Sequence, residues 1–348
     1  SDIMNPFNRL TIPLLMVLLL IFAAAPAGAQ VLVQCPGDLN GDAIPDPNLF
    51  RGNGTPNPNQ PNPDYDPDVQ CMHISGGDGF ATMADGRPQY IFSFADMTGI
   101  KDGDVANEDG DISDDIMAAG ALAAAWPAPT ITVDEGKKFY LTLTNVGMMM
   151  RPDLFDTHSV HWHGFPHAGP VFDGVPETSP TPTMGASLTY YYEAAVAGTY
   201  FYHCHVEAAE HMQMGMIGNT WIYPRQDRLG YGADPTSTIA RRAGGPDTAP
   251  YGYVYNDGDG STAYDVQYPL QLTAFDSEFH NASLGVAALP FATMFDDYPM
   301  INGRGYPDTV NPDDIVNQED FVAQPAEQII MRADGTTDTI INSGGIAA

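Results

Sequence analysis

Two short runs concentrate the reactive side chains of this chain: His158-Ser159-Val160-His161-Trp162-His163, and His203-Cys204-His205 followed by His211 and Met216. The extended aromatic segment Thr199-Tyr200-Phe201-Tyr202 leads into the second run, which is therefore expected on a β-strand, where successive side chains face opposite sides. Cys204 then faces one way, and His203 and His205 the other. By the same parity His161 and His163 share a face, while His158 falls on the opposite one. Two donor sets follow. His158, Cys204, His211 and Met216 form a set of two imidazoles, one thiolate and a weak thioether, which suits electron-transfer copper. His161, His163, His203 and His205 form an all-imidazole set, suited to copper that binds oxygen or another small molecule. Zinc fits poorly, because the paired Cys-x-x-Cys of closed tetrahedral sites is missing.

His-x-x-His-x-His, then His-Cys-His with a downstream His and Met, resembles the copper motifs of the multicopper oxidase family. The resemblance runs from about Pro88 to Pro224 and continues more weakly through Tyr268 to Thr309, where Met300-Ile301-Asn302-Gly303-Arg304-Gly305-Tyr306-Pro307 is similar to an early second-domain segment. Phe155-Asp156-Thr157-His158 and the segment from His205 to His211 are most similar to large exported bacterial members, some described as manganese oxidases. The resemblance implies an all-β fold of cupredoxin-like Greek-key β-sandwiches, with copper as cofactor. It also implies oxidation of a reducing substrate, a metal ion such as Mn(II) or a phenol, coupled to reduction of dioxygen to water. His158, Cys204, His211 and Met216 would hold a type 1 copper. His161, His163, His203 and His205 would supply half of a type 2/type 3 trinuclear cluster. Electrons from a substrate docked near His211 would pass through Cys204 to His203 and His205.

The interval from Cys204 to His211 is slightly longer than the family's usual loop, while the step from His211 to Met216 matches it. A complete cluster needs roughly four more histidines, and after His211 only His280 remains. The missing ligands are expected from later domains or another subunit, and the chain reads as the N-terminal piece of a longer protein. Three other readings stay open. These are a copper nitrite reductase-like enzyme, a type 1 copper electron-transfer protein that leaves four histidines idle, and a metal-storing fragment.

Asp156, Glu207 and Glu210 lie beside proposed ligands and could relay protons or hold a divalent substrate ion; exposed loop carboxylates are the plainer reading. Met148, Met149, Met150, Met212 and Met214 could make a soft platform for Cu(I) or fill the core. His167 is expected to line the pocket, and His73 and His280 receive no role.

These motifs need elements to carry them. Residues 1–29 read as upstream residues and a secretory signal: Arg9 in a polar start, an apolar run from Leu14 to Ala25, and Ala27-Gly28-Ala29 before Gln30. The protein is therefore expected to be exported, to periplasm, cell surface or medium, with no membrane insertion after signal removal. Residues 30–85, rich in Pro, Asn, Gly and Asp, are expected to form a loop-rich extension. Cys35 and Cys71 suit a disulfide there, given an oxidising compartment. A copper-binding cupredoxin domain is expected over 86–225, with strands at Gln89–Phe94, Ile131–Val133, Phe139–Thr144, His158–His163, Ser187–Ala194, Thr199–His205 and Gly218–Tyr223. Residues 111–125 suggest a short helix or excursion. A linker over 226–265 and a partial second cupredoxin-like domain over 266–348 complete the plan.

The net charge of −31 disfavours nucleic acid and anionic membranes as partners. It serves solubility or the collection of cations. Asp38, Asn40, Asp42 and Asp46 have the alternating spacing of a calcium loop, with Ala43 where such loops want Gly. Asp102, Asp104, Asp109 and Asp111, and the run Asn256-Asp257-Gly258-Asp259-Gly260, are similar. Solvated turns account for each of them equally well.

Overall fold

The computed structural model describes residues 31–164, 169–229, 252–257, 261–264, 267–268, 270–306, 327–331 and 337–341. The leader, His167, and much of the 226–265 and 307–348 regions lie outside the described residues. A surface hairpin of β1 (Asn48–Phe50) and β2 (Pro56–Pro61) precedes the long β3 (Val69–Thr82) and β4 (Pro88–Asp96). Helix α1 (Ser113–Gly120) follows, then β5 (Ile131–Asp134), β6 (Lys138–Gly147), β7 (His161–His163), β8 (Ser187–Glu193) and β9 (Gly198–His203). Helix α2 (Ala208–Met214), β10 (Ile217–Tyr223) and helix α3 (Arg225–Leu229) come next. Beyond them lie β11 (Gly252–Tyr253), β12 (Ala263–Tyr264), β13 (Leu272–Phe275), helix α4 (Ser277–Leu284), β14 (Tyr298–Ile301), β15 (Glu327–Met331) and β16 (Thr337–Ile341).

Two four-stranded sheets, ordered β4-β3-β6-β8 and β5-β10-β9-β7, make a cupredoxin-like β-sandwich. Each contains one parallel pair, β3 with β6 and β5 with β10, so the chain crosses between sheets as a Greek key does. Phe92, Phe94, Leu141, Leu143, Tyr190, Tyr192 and Tyr202 fill the space between the sheets, and the core continues into Cys204, Met214 and Met216. Each large apolar side chain buried there contributes roughly 1.5–3 kcal/mol. Along β10 burial alternates residue by residue, as expected of a sheet with one covered face. On β3, β4 and β6 it is nearly continuous, because α1 and the segment around Val31 cover the other face through Ala95, Met97, Ile116 and Val146.

The loop-rich extension ends earlier than residue 85. Val69–Thr82 forms a 14-residue strand central to the first sheet. Its glycines masked the apolar pattern, and each answers a close neighbour. A Cβ on Gly76 would lie 2.9 Å from the His158 ring, and one on Gly77 2.7 Å from Val146. Cys35 and Cys71 are joined by a disulfide, which ties the preceding loop to this strand. Such a bridge contributes about 2–4 kcal/mol.

Two segments beyond the sandwich are held by specific contacts. The described part of the 226–265 segment is held down rather than free: Gln226 Nε2 donates to Asp257 Oδ1 at 2.9 Å, and Tyr253 N to Asp227 Oδ1 at 2.8 Å. Residues 270–306 pack on the first sandwich. Phe275 packs on Trp126 with ring centroids 4.4 Å apart, Trp126 Nε1 donates to Met300 Sδ, and Phe279 joins the main cluster. A two-stranded hairpin has too little apolar face to stand alone, so it borrows a neighbour's.

Candidate metal centre

Among the described residues, donor atoms of His, Cys, Asp or Glu converge within 4.8 Å in two groups of three: His158, Cys204 and His211, and His161, His163 and His203. The first group is closed. All three residues are 0% exposed. Cys204 Sγ lies 3.2 Å from His211 Nδ1, and Ser159 N donates to the same sulfur at 3.4 Å. The backbone stitches the donors together: Cys204 N donates to Met216 O at 3.1 Å, and Met216 N to His211 O at 2.8 Å. Met216 is itself fully buried. The longer loop between Cys204 and His211 is occupied by α2, which carries His211 and ends at Gly215 in the left-handed region, φ 119°. A Cβ there would meet the Phe92 carbonyl at 2.9 Å, so glycine is required on both counts.

Polar atoms left unpaired in this group supply the fit test for a metal. Both ring nitrogens of His158, and Nε2 of His211, are buried without a hydrogen-bond partner. Leaving such groups unmet is costly unless something else engages them. Nitrogen and thiolate donors in a dry pocket fit a soft or borderline transition ion, and copper fits the set. Burial, and then the neighbouring His211, hold His158 well below the ordinary imidazole range, so it stays neutral and free to ligate. Burial also opposes charge on His211, yet Asp156 and Cys204 together raise it to about 10. Asp156 Oδ2 stands 3.7 Å from its Nε2.

The second group is open on one side. His203 is buried, His161 half-buried and His163 exposed. His161 Nδ1 faces the Asp173 carbonyl at 2.6 Å, and His203 Nδ1 faces the Cys204 carbonyl at 2.7 Å. Carbonyls accept only, so both rings are assigned as Nδ1–H tautomers, with Nε2 as the bare lone pair a metal needs. His203 Nε2 meets His163 Nε2 at 2.9 Å. The His205 ring centroid lies 5.0 Å from that of His161 and 5.7 Å from that of His203, on the same side. Burial first, and the neighbouring imidazoles with it, lower His203 to about 4 and lower His163 as well. Ser159 links the groups from a third direction, its Oγ accepting from His205 N at 3.1 Å.

The structure places the other anticipated residues as follows. Glu207 adopts φ 44° at the start of α2, and Glu210 sits in its first turn, its carboxyl raised chiefly by burial. Met148 and Met214 are core residues while Met149 and Met150 are exposed, so the five methionines do not share one surface. The Asp38 carboxylate accepts from the backbone N–H groups of Asn40, Gly41 and Ala43, Asp42 from Ile44 N, and Asp46 from Leu39 N. That loop closes on its own hydrogen bonds, with Ala43 in the left-handed region at φ 64°, and its acids belong to neither converging group. Asp102 likewise accepts from Asp109 N and Gly110 N. Gly76, Ser159 and Asp173 escaped the sequence reading; only the glycine cluster in β3 hinted at a close approach.

Known proteins similar to this chain include copper oxidases. Residues 111–227 match the sequence profile of the multicopper oxidase family. "Multicopper oxidase MCE" of Talaromyces pinophilus is 32% identical over 129 residues, covering 35% of this chain and 20% of that protein. "Laccase-1" of Emericella nidulans is 34% identical over 106 residues, covering 30% of this chain and 16% of that protein. Among solved structures, the blue copper oxidase of Nitrosomonas europaea overlaps 69% of this chain and 55% of its own, at 24% identity and a TM-score of 0.44. Residues 111–227 are thus similar to the multicopper oxidase family over about a third of the chain. The match spans about a fifth or less of the length of these curated relatives.

Proposed function

We propose that this chain supplies the type 1 copper site and half of the trinuclear copper cluster of an exported multicopper oxidase. That enzyme takes electrons from a metal ion such as Mn(II) or from a phenol and reduces dioxygen to water. The observation that carries the reading is the position of Cys204: its sulfur belongs to the closed donor group, while its peptide neighbour His203 belongs to the open one. Copper, when bound, supplies one-electron transfer at the first group and oxygen reduction at the second. His158, Cys204, His211 and Met216 would hold the first ion, and His161, His163, His203 and His205 part of the second centre.

The chain's own residues set the conditions. The sandwich core excludes water from the Cys204 sulfur, and the Ser159 N–H holds it in place. The Cys204 main chain connects that sulfur covalently to both flanking imidazoles. Asp156, beside His211, offers a carboxylate that attracts a cationic reductant or accepts a phenolic proton. Glu207 and Glu210 add negative charge to the same rim. The remaining cluster ligands come from later domains or another subunit. The Cys35–Cys71 disulfide supports export to an oxidising compartment.

The test is copper content and absorption of the loaded chain, with oxygen uptake on Mn(II) and on a phenol. An intense blue band with more than one copper per chain, and oxygen uptake by the assembled protein, is the expected result. A single ion per chain would identify a carrier, turnover of nitrite in place of oxygen a reductase, and no blue band would refute the site.

A further inference from the structure

His280 lies on α4, far from both donor groups in sequence, and is fully buried. Its ring lies between two carbonyls, and its single N–H serves one of them at a time. Nδ1 stands 2.5 Å from Tyr90 O on β4, and Nε2 stands 2.9 Å from Gln213 O on α2. The face of the ring packs on Phe275 with centroids 4.3 Å apart.

Gln213 O is one of the carbonyls that a helix end leaves unpaired. The others near it are met locally: His211 O receives Met216 N, and Met212 O receives Gly215 N. Gln213 O is met from another element, by His280. The loop from Glu207 to Met216, which carries two of the four proposed type 1 donors, is thus clamped from outside. Ser93 Oγ on β4 donates to Gly215 O at 3.0 Å, and Phe92 sets its ring edge-on to His211. Gln271 Nε2 donates to Ile217 O just beyond the loop. Arg151 in turn holds α4 by donating to Ser283 O.

We infer that His280 is a positioning residue for the type 1 site: by bridging β4 to the end of α2, it fixes the backbone from which His211 and Met216 approach Cys204. The segment from Gln271 to Asn302 is then a latch on the metal loop as well as a continuation of the chain. This rests on the reading of His211 and Met216 as copper donors, so its test includes a measurement that needs no copper.

Cys204 is the free thiol beside a closed disulfide, and it is buried. Its reaction with an aromatic disulfide reagent in the metal-free full chain therefore reports opening of the loop. His280→Phe keeps the bulk of the ring and removes both polar contacts; His280→Gln can restore one. With folding confirmed by circular dichroism, His280→Phe is expected to speed thiol modification up to about tenfold, the effect of losing one net hydrogen bond. After copper loading its blue band should shift or weaken, and His280→Gln should recover part of both signals. Wild-type thiol rates and an unaltered band in folded His280→Phe would overturn the inference. If His280→Phe fails to fold, His280→Gln decides: values intermediate in rate and band support the role, and wild-type values in both overturn it. A wild-type chain that never turns blue would sink the copper reading, while the thiol rates would still test the latch.

Discussion

The two donor groups sit on either side of one strand end, yet they are built differently. His158, Cys204 and His211 lie in a sealed extension of the sandwich core, with ring nitrogens left unpaired and backbone bonds joining the donors. His161, His163 and His203 lie on an open rim, their Nδ1 atoms occupied by carbonyls where the structure shows partners and their Nε2 edges turned to one another. The contrast separates what one domain can finish from what it can only begin. A trigonal site with a soft thiolate can be closed within one domain, here from two segments of chain. In the proposed reading the multinuclear site takes donors from two surfaces, and the open group is what this one contributes.

Substitutions can break this contrast from either side. Cys204→Ser should have the largest effect, removing the blue band and all turnover while the open group keeps its copper; absorption and metal analysis check both. His163→Ala should do the reverse, leaving the blue band and lowering copper at the second group at least about tenfold. An unchanged metal count in that variant would show that the open histidines bind none.

Acid sharpens the comparison within the closed half. Burial lowers His280 to about 4 and His73 to about 3, below the unfolded value of 6.5. Depressed values mean that the folded state favours the neutral ring. The stability this provides is present above pH 6.5 and is lost as pH falls through 4 and then 3, by about 1.4 kcal/mol per histidine per pH unit. Denaturant titrations of the metal-free chain across that window should show the slope, and His73→Gln should reduce it. Gly76→Ala should cost about 1–3 kcal/mol by pressing a methyl against His158, and should perturb the blue band. Gly52→Ala, with open space around it, should change neither.

Much of this molecule was legible from pattern. The strands from Gln89 to Tyr223 were legible in the sequence, and observed bounds differ from the expected ones by up to three residues at an end, as where β7 starts at His161 rather than His158 and β6 ends at Gly147 rather than Thr144. What pattern hid was β3, whose Gly76, Gly77 and Gly79 read as loop until the side chains that fill their missing Cβ positions are seen. The Asp38 loop shows a pattern with two meanings, since carboxylates spaced for a cation also suit a turn that hydrogen-bonds to itself.

Strand parity and donor chemistry are local properties. The sequence by itself therefore marked the side chains able to bind metal, although Cys204 and His205 lie just past the end of β9 and His158 before the start of β7, where parity no longer applies. Packing across long separations determined the rest. His280 meets Gln213 across 67 positions and Tyr90 across 190, and His158 fits only because a distant glycine leaves it room. No periodicity encodes such meetings, because they exist only once the sheets have closed on each other.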